Sequence, residues 1–396
     1  MNVLTPAMST VSNKNTITSI EGVLIETLDD GTIQISTYDM NKGTRAIFTP
    51  ISIEREGKFI INAQRLYQTI RVLPDDEGTI DINDKLNCEI SCKDASFSIF
   101  ASRGADFPNL PELVSDRGFE LSSAVLKKII GKVSHSIAVQ DNRIMLTGAF
   151  FKITGEGLEV VSCDNYTLSK CSVKCDIETV SELDSGIDFS FIIPGHAIAE
   201  MARILPDKED YKCKVYLSRK HAIIKCDELT FFTRTIDSEY INYNRIIPKE
   251  NNITVVVDRE RILSGLERAN IIAEEKIQGS GRSYVKLSAD HNYLTISSSS
   301  VNGKLIDEMR CVQEGAPIEI GFNCRFLINS IKVSEGENIK IKFKSPTEPI
   351  TIDLASATQG GVNFTTLFET LGYGFNNATL NGTTLTIPAL SSVIVG

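Results

Sequence analysis

Three segments of the chain share one layout: FIINAQRLYQTIRVLPDDEG (residues 59–78), FIIPGHAIAEMARILPDKED (residues 191–210) and EIGFNCRFLINSIKVSEGEN (residues 319–338). Each reads as a short apolar strand, a turn, one amphipathic helix and an acidic turn. Aligning Ile61 with Ile193 and Phe322 gives spacings of 132 and 129 residues. Spacings this long and this regular predict three similar whole domains and exclude a solenoid of short repeats.

A second repeat supports the first. The segments GVLIETLDDGTIQISTYDMNKGTRA from Gly22 and GAFFKITGEGLEVVSCDNYTLSKC from Gly148 each read as two strands joined by a tight turn of acidic residues and glycine. Apolar periodicity predicts a further helix at 122–134, capped by Ser122 or Ser123, and a counterpart at 258–275, capped by Asp258. We therefore predict an α+β protein of three similar domains, each with two helices packed on an antiparallel sheet.

Composition limits the function classes. Hydrophobic residues make up 42% and charged residues 23%, which is typical of a globular protein. No apolar run reaches the roughly 18 residues of a membrane span, and the N-terminus lacks the layout of a secretory signal, so we expect a cytoplasmic protein without membrane contact. The nine cysteines form no CxxC pair and the four histidines are scattered. We expect reduced, packed thiols and no metal site.

Motifs of catalysis and nucleotide binding are missing from the sequence. It contains no GxxxxGK[ST] loop, no GxSxG elbow and no complete dinucleotide fingerprint. Acidic pairs such as Asp75 and Asp76 lie beside Pro and Gly, where solvated turn residues are the simpler interpretation. We therefore expect no cofactor and no enzyme activity.

The distribution of charge is more informative than its total. The formal net charge is −10, yet the predicted helices at 122–134, 63–73, 324–332, 195–205 and 258–275 carry +3, +2, +2, 0 and −2. Their candidate phosphate-binding side chains are Lys127, Lys128, Lys132, Arg65, Arg71, Arg325, Lys332 and Arg203. A sparse basic surface of +5 predicts sequence-independent contacts that suit sliding along DNA. The alternative is that these residues are only the solvated faces of amphipathic helices.

The motif ADFPNL (residues 105–110), followed by the basic helix and then by QDNR (residues 140–143), resembles the junction of the first two domains of bacterial sliding clamps, the beta subunits of DNA polymerase III. The resemblance continues through DSEYINYNRIIP, IIAEEKIQG and IEIGFN and covers about residues 10–353. It implies the DNA-clamp fold, in a head-to-tail homodimer whose six domains form a ring around duplex DNA with helices lining the hole. The implied domains are 1–117, 118–248 and 249–368, and 369–396 is an atypical C-terminal extension.

The resemblance also implies three sets of site residues. Gln140 and Arg143 join the basic helices near DNA. Phe97 and Ile99, on an edge strand of the first domain, face Ile271 and Ile272, at a helix end of the third domain of the other subunit. Partner peptides enter an apolar cleft, which is formed by Leu146, Cys163, Asn165, Leu168, Ile241, Arg245 and Ile246. Core packing is the alternative for each cleft residue.

The leading hypothesis is a non-catalytic processivity factor that tethers DNA polymerase III through its alpha subunit and also binds the clamp loader and other clamp-binding-motif proteins. The sequence departs from the family at several points. Cys163 and Ile241 stand where clamps usually have Thr and Pro, and Ile144 and Met145 stand where many have aromatic residues. A strand and about half a helix are expected to be missing at the N-terminus, and the segment from Leu354 lacks an LPVR-like ending.

These departures leave two alternatives. The first is a clamp-derived scaffold that binds partner peptides but does not close on DNA. The second is a carbohydrate-active enzyme, suggested only by a Thr-rich tail that resembles the end of a β-sandwich. The enzyme hypothesis is weak because no pair of acids has a supporting context.

Overall fold

The computed structural model describes residues 4–12, 18–113, 117–174, 188–207, 211–273, 285–300 and 303–353, and the backbone of strands at 178–179, 354–359, 362–370, 380–381 and 384–385. The chain divides into two compact units. The first comprises Met1–Lys127 and Ile177–Asp237, and the second comprises Lys128–Asp176 and Ser238–Gly396.

The described ranges contain six α-helices, five short 3-10 helices and twenty-seven strands. The α-helices are α1 Leu4–Met8, α2 Ala63–Val72, α3 Ser123–Val133, α4 Gly195–Ile204, α5 Arg259–Ala273 and α6 Cys324–Lys332. The 3-10 helices are Thr18–Glu21, Gly104–Asp106, Ser134–Ser136, Ile144–Thr147 and Tyr243–Arg245. The first sixteen strands are β1 Gly22–Thr27, β2 Ile33–Tyr38, β3 Lys42–Phe48, β4 Lys58–Asn62, β5 Gly78–Ile82, β6 Asn87–Cys92, β7 Ala95–Arg103, β8 Arg117–Ser122, β9 Gly148–Thr154, β10 Gly157–Cys163, β11 Thr167–Lys174, β12 Glu178–Thr179, β13 Phe189–Pro194, β14 Lys212–Leu217, β15 His221–Cys226 and β16 Leu229–Arg234. The others are β17 Ile253–Asp258, β18 Val285–Asp290, β19 Tyr293–Ser299, β20 Lys304–Arg310, β21 Val312–Glu314, β22 Ile318–Phe322, β23 Asn338–Phe343, β24 Ile350–Gln359, β25 Val362–Thr370, β26 Leu380–Asn381 and β27 Thr384–Leu385.

An antiparallel sheet runs through the first unit in the order β12-β8-β14-β15-β16-β3-β2-β1-β4-β7-β6-β5. Helix α2 begins where the Asn62 side chain accepts a hydrogen bond from the backbone N–H of Arg65, 3.1 Å away. It packs its apolar face, with Leu66 at the centre, on a core that includes Val23 and Ile61. The predicted tight turn between β1 and β2 is present, and Gly31 adopts a φ of +80° there.

The second unit contains two antiparallel sheets. One includes the order β9-β10-β11-β25-β24-β23-β17-β21, and the other has the order β20-β19-β18-β22. Helices α5 and α6 bury Leu266 and Leu327 in a core that includes Val255 and Ile341. The last strand predicted at 362–368 is present as β25, which pairs with β11 and β24 and ends two residues later.

The structure confirms the predicted fold class and the helices of the three repeated segments. Helices α2, α4 and α6 begin at the predicted residues, and Asp258 caps α5 by accepting a hydrogen bond from the Arg261 backbone N–H at 2.7 Å. Among the residues that the structure describes, no helix is both long enough and apolar enough to cross a membrane.

Candidate functional site

Four of the seven residues predicted for the partner cleft meet in one apolar cluster of the second unit. Leu146, Cys163 and Leu168 are buried there, and the half-buried Ile241 packs against them. Cys163 and Leu168 are directly paired across the β10–β11 ladder. Ile246 is half-buried and Arg245 is exposed, and it is the neighbouring Ile247 that packs against this cluster.

Aromatic residues that the sequence analysis did not single out support the cluster. The rings of Phe150 and Tyr240 stack with centroids 5.0 Å apart, and Tyr243 lies 6.1 Å from Phe150. The Tyr243 hydroxyl donates a hydrogen bond to Glu159, which also pairs with Lys170 at 2.7 Å. Burial, followed by the bond to Glu159, raises the pKa of Tyr243. In the sequence, the YINY motif (residues 240–243) points to the two tyrosines but gives no signal for Phe150.

The turn between β10 and β11 brings together two residues that were assigned to different sites. Asn165, assigned to the cleft, has a φ of +75° and donates a hydrogen bond from Nδ2 to Asp141 at 2.6 Å. The guanidinium of Arg143, assigned to DNA, binds both Asp141 and the Asn165 side-chain oxygen. The backbone N–H of Arg143 is the main cause that keeps the pKa of Asp141 low. Gln140 is exposed beside this network.

Tyr166, the next residue of the same turn, contacts helix α6. The exposed Tyr166 ring stacks on Phe326 of α6, with centroids 5.3 Å apart and an interplanar angle of 23°. Arg325, a predicted DNA-facing residue, is exposed one position before Phe326. The β10–β11 turn therefore contacts both the 140–143 loop and α6.

The cations predicted to face DNA differ in their surroundings. Arg65 and Arg71 are exposed on α2, and Arg203 is exposed on α4 beside Glu200 at 3.3 Å. Lys332 pairs with Glu267 at 2.9 Å, and Lys127 lies 4.0 Å from Asp207. The net positive charge that is available to phosphate is therefore lower than a count along the helices suggests.

Lys132 and Lys128 depart from the expectation of solvated cations. Lys132 is only 2% exposed, so the prediction that it faces DNA is wrong for this conformation. Its Nζ lies 3.9 Å from Glu335, and Lys128 Nζ lies 2.6 Å from the same carboxylate oxygen. Burial lowers the pKa of Lys132, and the nearby Glu335 opposes that shift. The two lysines differ from the prediction because they are packed against the protein and lie near Glu335, which is distant in sequence. Helical periodicity indicates neither of these features.

On the first-domain side of the predicted subunit interface, strand β7 has a stretch that pairs with a neighbouring strand on one side only. Strand β7 as a whole is not an edge strand, because its residues 101–103 pair with β4. Its 95–100 half pairs with β6, and no second partner strand is seen for it in the described part of the chain. Phe97 is 36% exposed there and Ile99 is half-buried against the core. The sequence analysis missed Phe100, which is 79% exposed on the opposite strand face.

The third-domain side of the predicted subunit interface lies at the end of α5. Ile271 is 70% exposed and Ile272 is half-buried. Strand β20 is the edge of its sheet and exposes Ile306, which the sequence analysis also missed. Asp307 of β20 binds two arginines of α5: Arg261 Nη1 lies 3.2 Å and Arg268 Nε 3.0 Å from its Oδ2. These bonds tie α5 to the edge strand.

No group of three or more His, Cys, Asp or Glu side chains is arranged to hold a metal ion within the described ranges. Eight cysteines in those ranges form no disulfide bond, and seven of these are buried. Both Cys88 and Cys92 are buried on one face of β6, as their spacing predicts, whereas Cys175 lies outside the described residues.

Comparison with known proteins covers nearly the whole chain. Sequence models of the DNA polymerase III beta subunit match residues 1–111 (N-terminal domain), 120–242 (central domain) and 244–360 (C-terminal domain). The beta sliding clamp of Bacillus subtilis is 25% identical over 358 residues, which cover 87% of this chain and 91% of that protein. The beta sliding clamp of Synechococcus elongatus is 25% identical over 331 residues, covering 82% and 85%.

Solved structures show the same fold. The beta subunit of Thermotoga maritima superposes with a TM-score of 0.83 at 23% identity, covering 94% of this chain and 96% of that chain. A sliding clamp of Pseudomonas aeruginosa, solved bound to griselimycin, gives a TM-score of 0.82 at 21% identity, covering 93% and 95%. Because the three family models together match well over half of its length, the chain belongs to the DNA polymerase III beta subunit family.

Proposed function

We propose that the chain is a sliding clamp: a non-catalytic processivity factor that closes as a homodimer around duplex DNA and tethers the replicative polymerase. The observation that carries this proposal is the collinear match of all three clamp domains over residues 1–360. The exposed arginines of α2, α4 and α6 supply sequence-independent attraction to phosphate. We also propose a cytoplasmic location, because a replication clamp acts on the chromosome.

Ring closure is proposed through the two open strands. The 95–100 half of β7 and the edge strand β20 each have an unpaired side among the described residues, and unpaired strands invite pairing with another chain. Phe97 of one copy would bury against Ile271 of a second copy, which removes both apolar side chains from water. Two such head-to-tail contacts close a dimer.

The decisive test is topological. The protein is loaded on nicked circular DNA by a clamp loader and the circle is then cut. A ring is retained on the circle, is released after cutting, and is retained again when the cut ends carry bulky blocks. Retention on unblocked linear DNA would refute encirclement, because simple phosphate binding is indifferent to DNA ends.

We further propose that the cluster around Leu146, Cys163 and Leu168 is the floor of a cleft for the peptides of the polymerase alpha subunit, the clamp loader and other clamp-binding-motif proteins. Support comes from the half-exposed Ile241 at its margin and from the exposed Arg245 nearby. Griselimycin serves as a probe, since two related clamps have been solved with it bound.

Ile241→Asp puts a charge into this apolar margin, whereas Asn242→Asp adds the same charge at an exposed neighbour. Calorimetry should show griselimycin binding to the wild type and to the Asn242 variant, and its loss in the Ile241 variant. Equal binding by all three proteins would place the probe elsewhere.

The second candidate is the peptide-binding scaffold that does not close. Sedimentation as a monomer at micromolar concentration, with griselimycin binding intact, would favour it over the ring. We propose domains at 1–117, 118–248 and 249–368, followed by an atypical extension at 369–396; strand β25 continues two residues past the proposed boundary, to Thr370.

A further inference from the structure

The acidic turn that follows each repeated helix holds a lysine. Asp76 lies 2.6 Å from Lys93 Nζ, Asp207 lies 4.0 Å from Lys127 Nζ, and Glu335 lies 2.6 Å from Lys128 Nζ. The second and third of these turns therefore place acids against α3, the helix with the most lysines and no acid of its own.

Glu335 is positioned by its own turn. The Ser334 hydroxyl donates a hydrogen bond to the Ile331 carbonyl at 2.6 Å, and Gly336 adopts a φ of +103° that an L side chain rarely takes. The chain thus reverses directly after α6. The Glu335 carboxylate is partly exposed, while the Lys128 side chain is only 14% exposed.

The consequence concerns how strongly α3 attracts DNA. A lysine contributes to DNA binding by neutralising a phosphate and releasing counterions. Lys128 and Lys132 already face a carboxylate of the same chain, which competes at a high effective concentration with any phosphate. A phosphate must displace Glu335 before Lys128 adds to binding.

We propose that Glu335 is an affinity-setting residue: it holds Lys128 and Lys132 in an internal ion-pair cluster and so weakens the sequence-independent attraction of α3 to duplex DNA. This inference rests on the proposed sliding-clamp function. Weak attraction is useful to a clamp because a protein that is retained by topology needs no tight phosphate contacts, and tight contacts slow its movement along DNA.

The test compares Glu335→Gln with Glu337→Gln, a matched control in the same turn whose side chain is exposed. Binding to a short fluorescein-labelled linear duplex is measured by anisotropy over a series of salt concentrations. We expect Glu335→Gln to bind roughly threefold to tenfold more tightly at low salt, with a salt slope steeper by about 0.9 for each added phosphate contact. Glu337→Gln should change the affinity less than twofold, by about 0.4 kcal/mol or less.

A second pair of variants identifies the cation. The double variant Lys128→Gln/Glu335→Gln should lose the gain, because the side chain that meets phosphate is gone. Lys132→Met/Glu335→Gln should keep the gain, and it avoids leaving the buried Lys132 ammonium without its acid if the single variant folds poorly. Thermal unfolding of each variant checks the fold.

Two outcomes overturn the proposal: equal affinity and salt slope for Glu335→Gln and Glu337→Gln, or a gain that persists without Lys128. The failure of the clamp function is a separate result. It would appear as retention of the wild type on cut DNA. If only this inference fails, the wild type is still released when the DNA is cut, and Glu335→Gln and Glu337→Gln bind DNA with the same affinity.

Discussion

Replacing Asp307 with asparagine tests what holds α5 against the edge strand β20. The Asp307 side chain is 11% exposed and binds Arg261 and Arg268 together. The hydrogen bond from Arg261 is the main cause that lowers the pKa of Asp307 from 3.8 to about 2. Asparagine keeps the shape of the side chain and removes the charge that both guanidinium groups share.

The size of the effect follows from that shift. A fall in pKa from 3.8 to about 2 corresponds to about 2.4 kcal/mol at 1.36 kcal/mol per pKa unit. Both arginines are partly exposed, so solvent screening reduces the expected loss in the free energy of unfolding to about 1–2 kcal/mol. Because the folded pKa lies below the unfolded one, this stabilisation is complete above about pH 4 and is lost as the pH falls toward about 2.

Urea unfolding, together with amide hydrogen exchange in α5, measures the difference between Asp307→Asn and the wild type at several pH values. Glu308→Gln is the control, because Glu308 is exposed and only its backbone carbonyl accepts a bond from Arg261, at 3.0 Å. Equal stability of Asp307→Asn and wild type at neutral pH would refute the reasoning. A difference that stays constant down to about pH 2.5 would refute its electrostatic basis.

Three further predictions concern the cleft, the interface and a half-buried histidine. Leu146→Ala should lower the free energy of unfolding in urea by about 2–5 kcal/mol, because Leu146 is fully buried; a loss below 1 kcal/mol would contradict close packing at the cleft floor. Phe97→Ser should shift sedimentation from dimer to monomer, while Phe100→Ser, on the other face of β7, should leave the dimer intact; the reverse result would place the interface on the other face. Burial lowers the pKa of His135 to about 4, so its ring should stay neutral in an NMR titration between about pH 5 and 8. The free energy of unfolding should fall as the pH drops from about 6.5 toward 4. A ring that titrates near the ordinary pKa of histidine would show that it is solvated.

The helices and their order could be predicted from sequence, because these features depend on neighbours along the chain. Apolar spacing in 63–72, 195–204 and 324–332 specifies each helix and the face that it buries. The structure adds the caps Asn62 and Asn323 at two of these helices. The threefold repeat then predicts three similar domains. The residues of the cleft were reached only through resemblance, since periodicity cannot say that Leu146, on one segment, meets Leu168 on another.

Tertiary structure decided the partners of the charged side chains. A count along α3 finds three lysines and no acid, yet Glu335, more than two hundred residues away in sequence, pairs with Lys128 and approaches the buried Lys132. Among the described residues, strand pairing likewise covered residues 101–103 of β7 with β4 and left its first half open, a difference that the sequence of the strand does not indicate. Local sequence determines the period and the amount of charge, whereas burial and ion pairing depend on which distant segments the fold brings within a few ångströms.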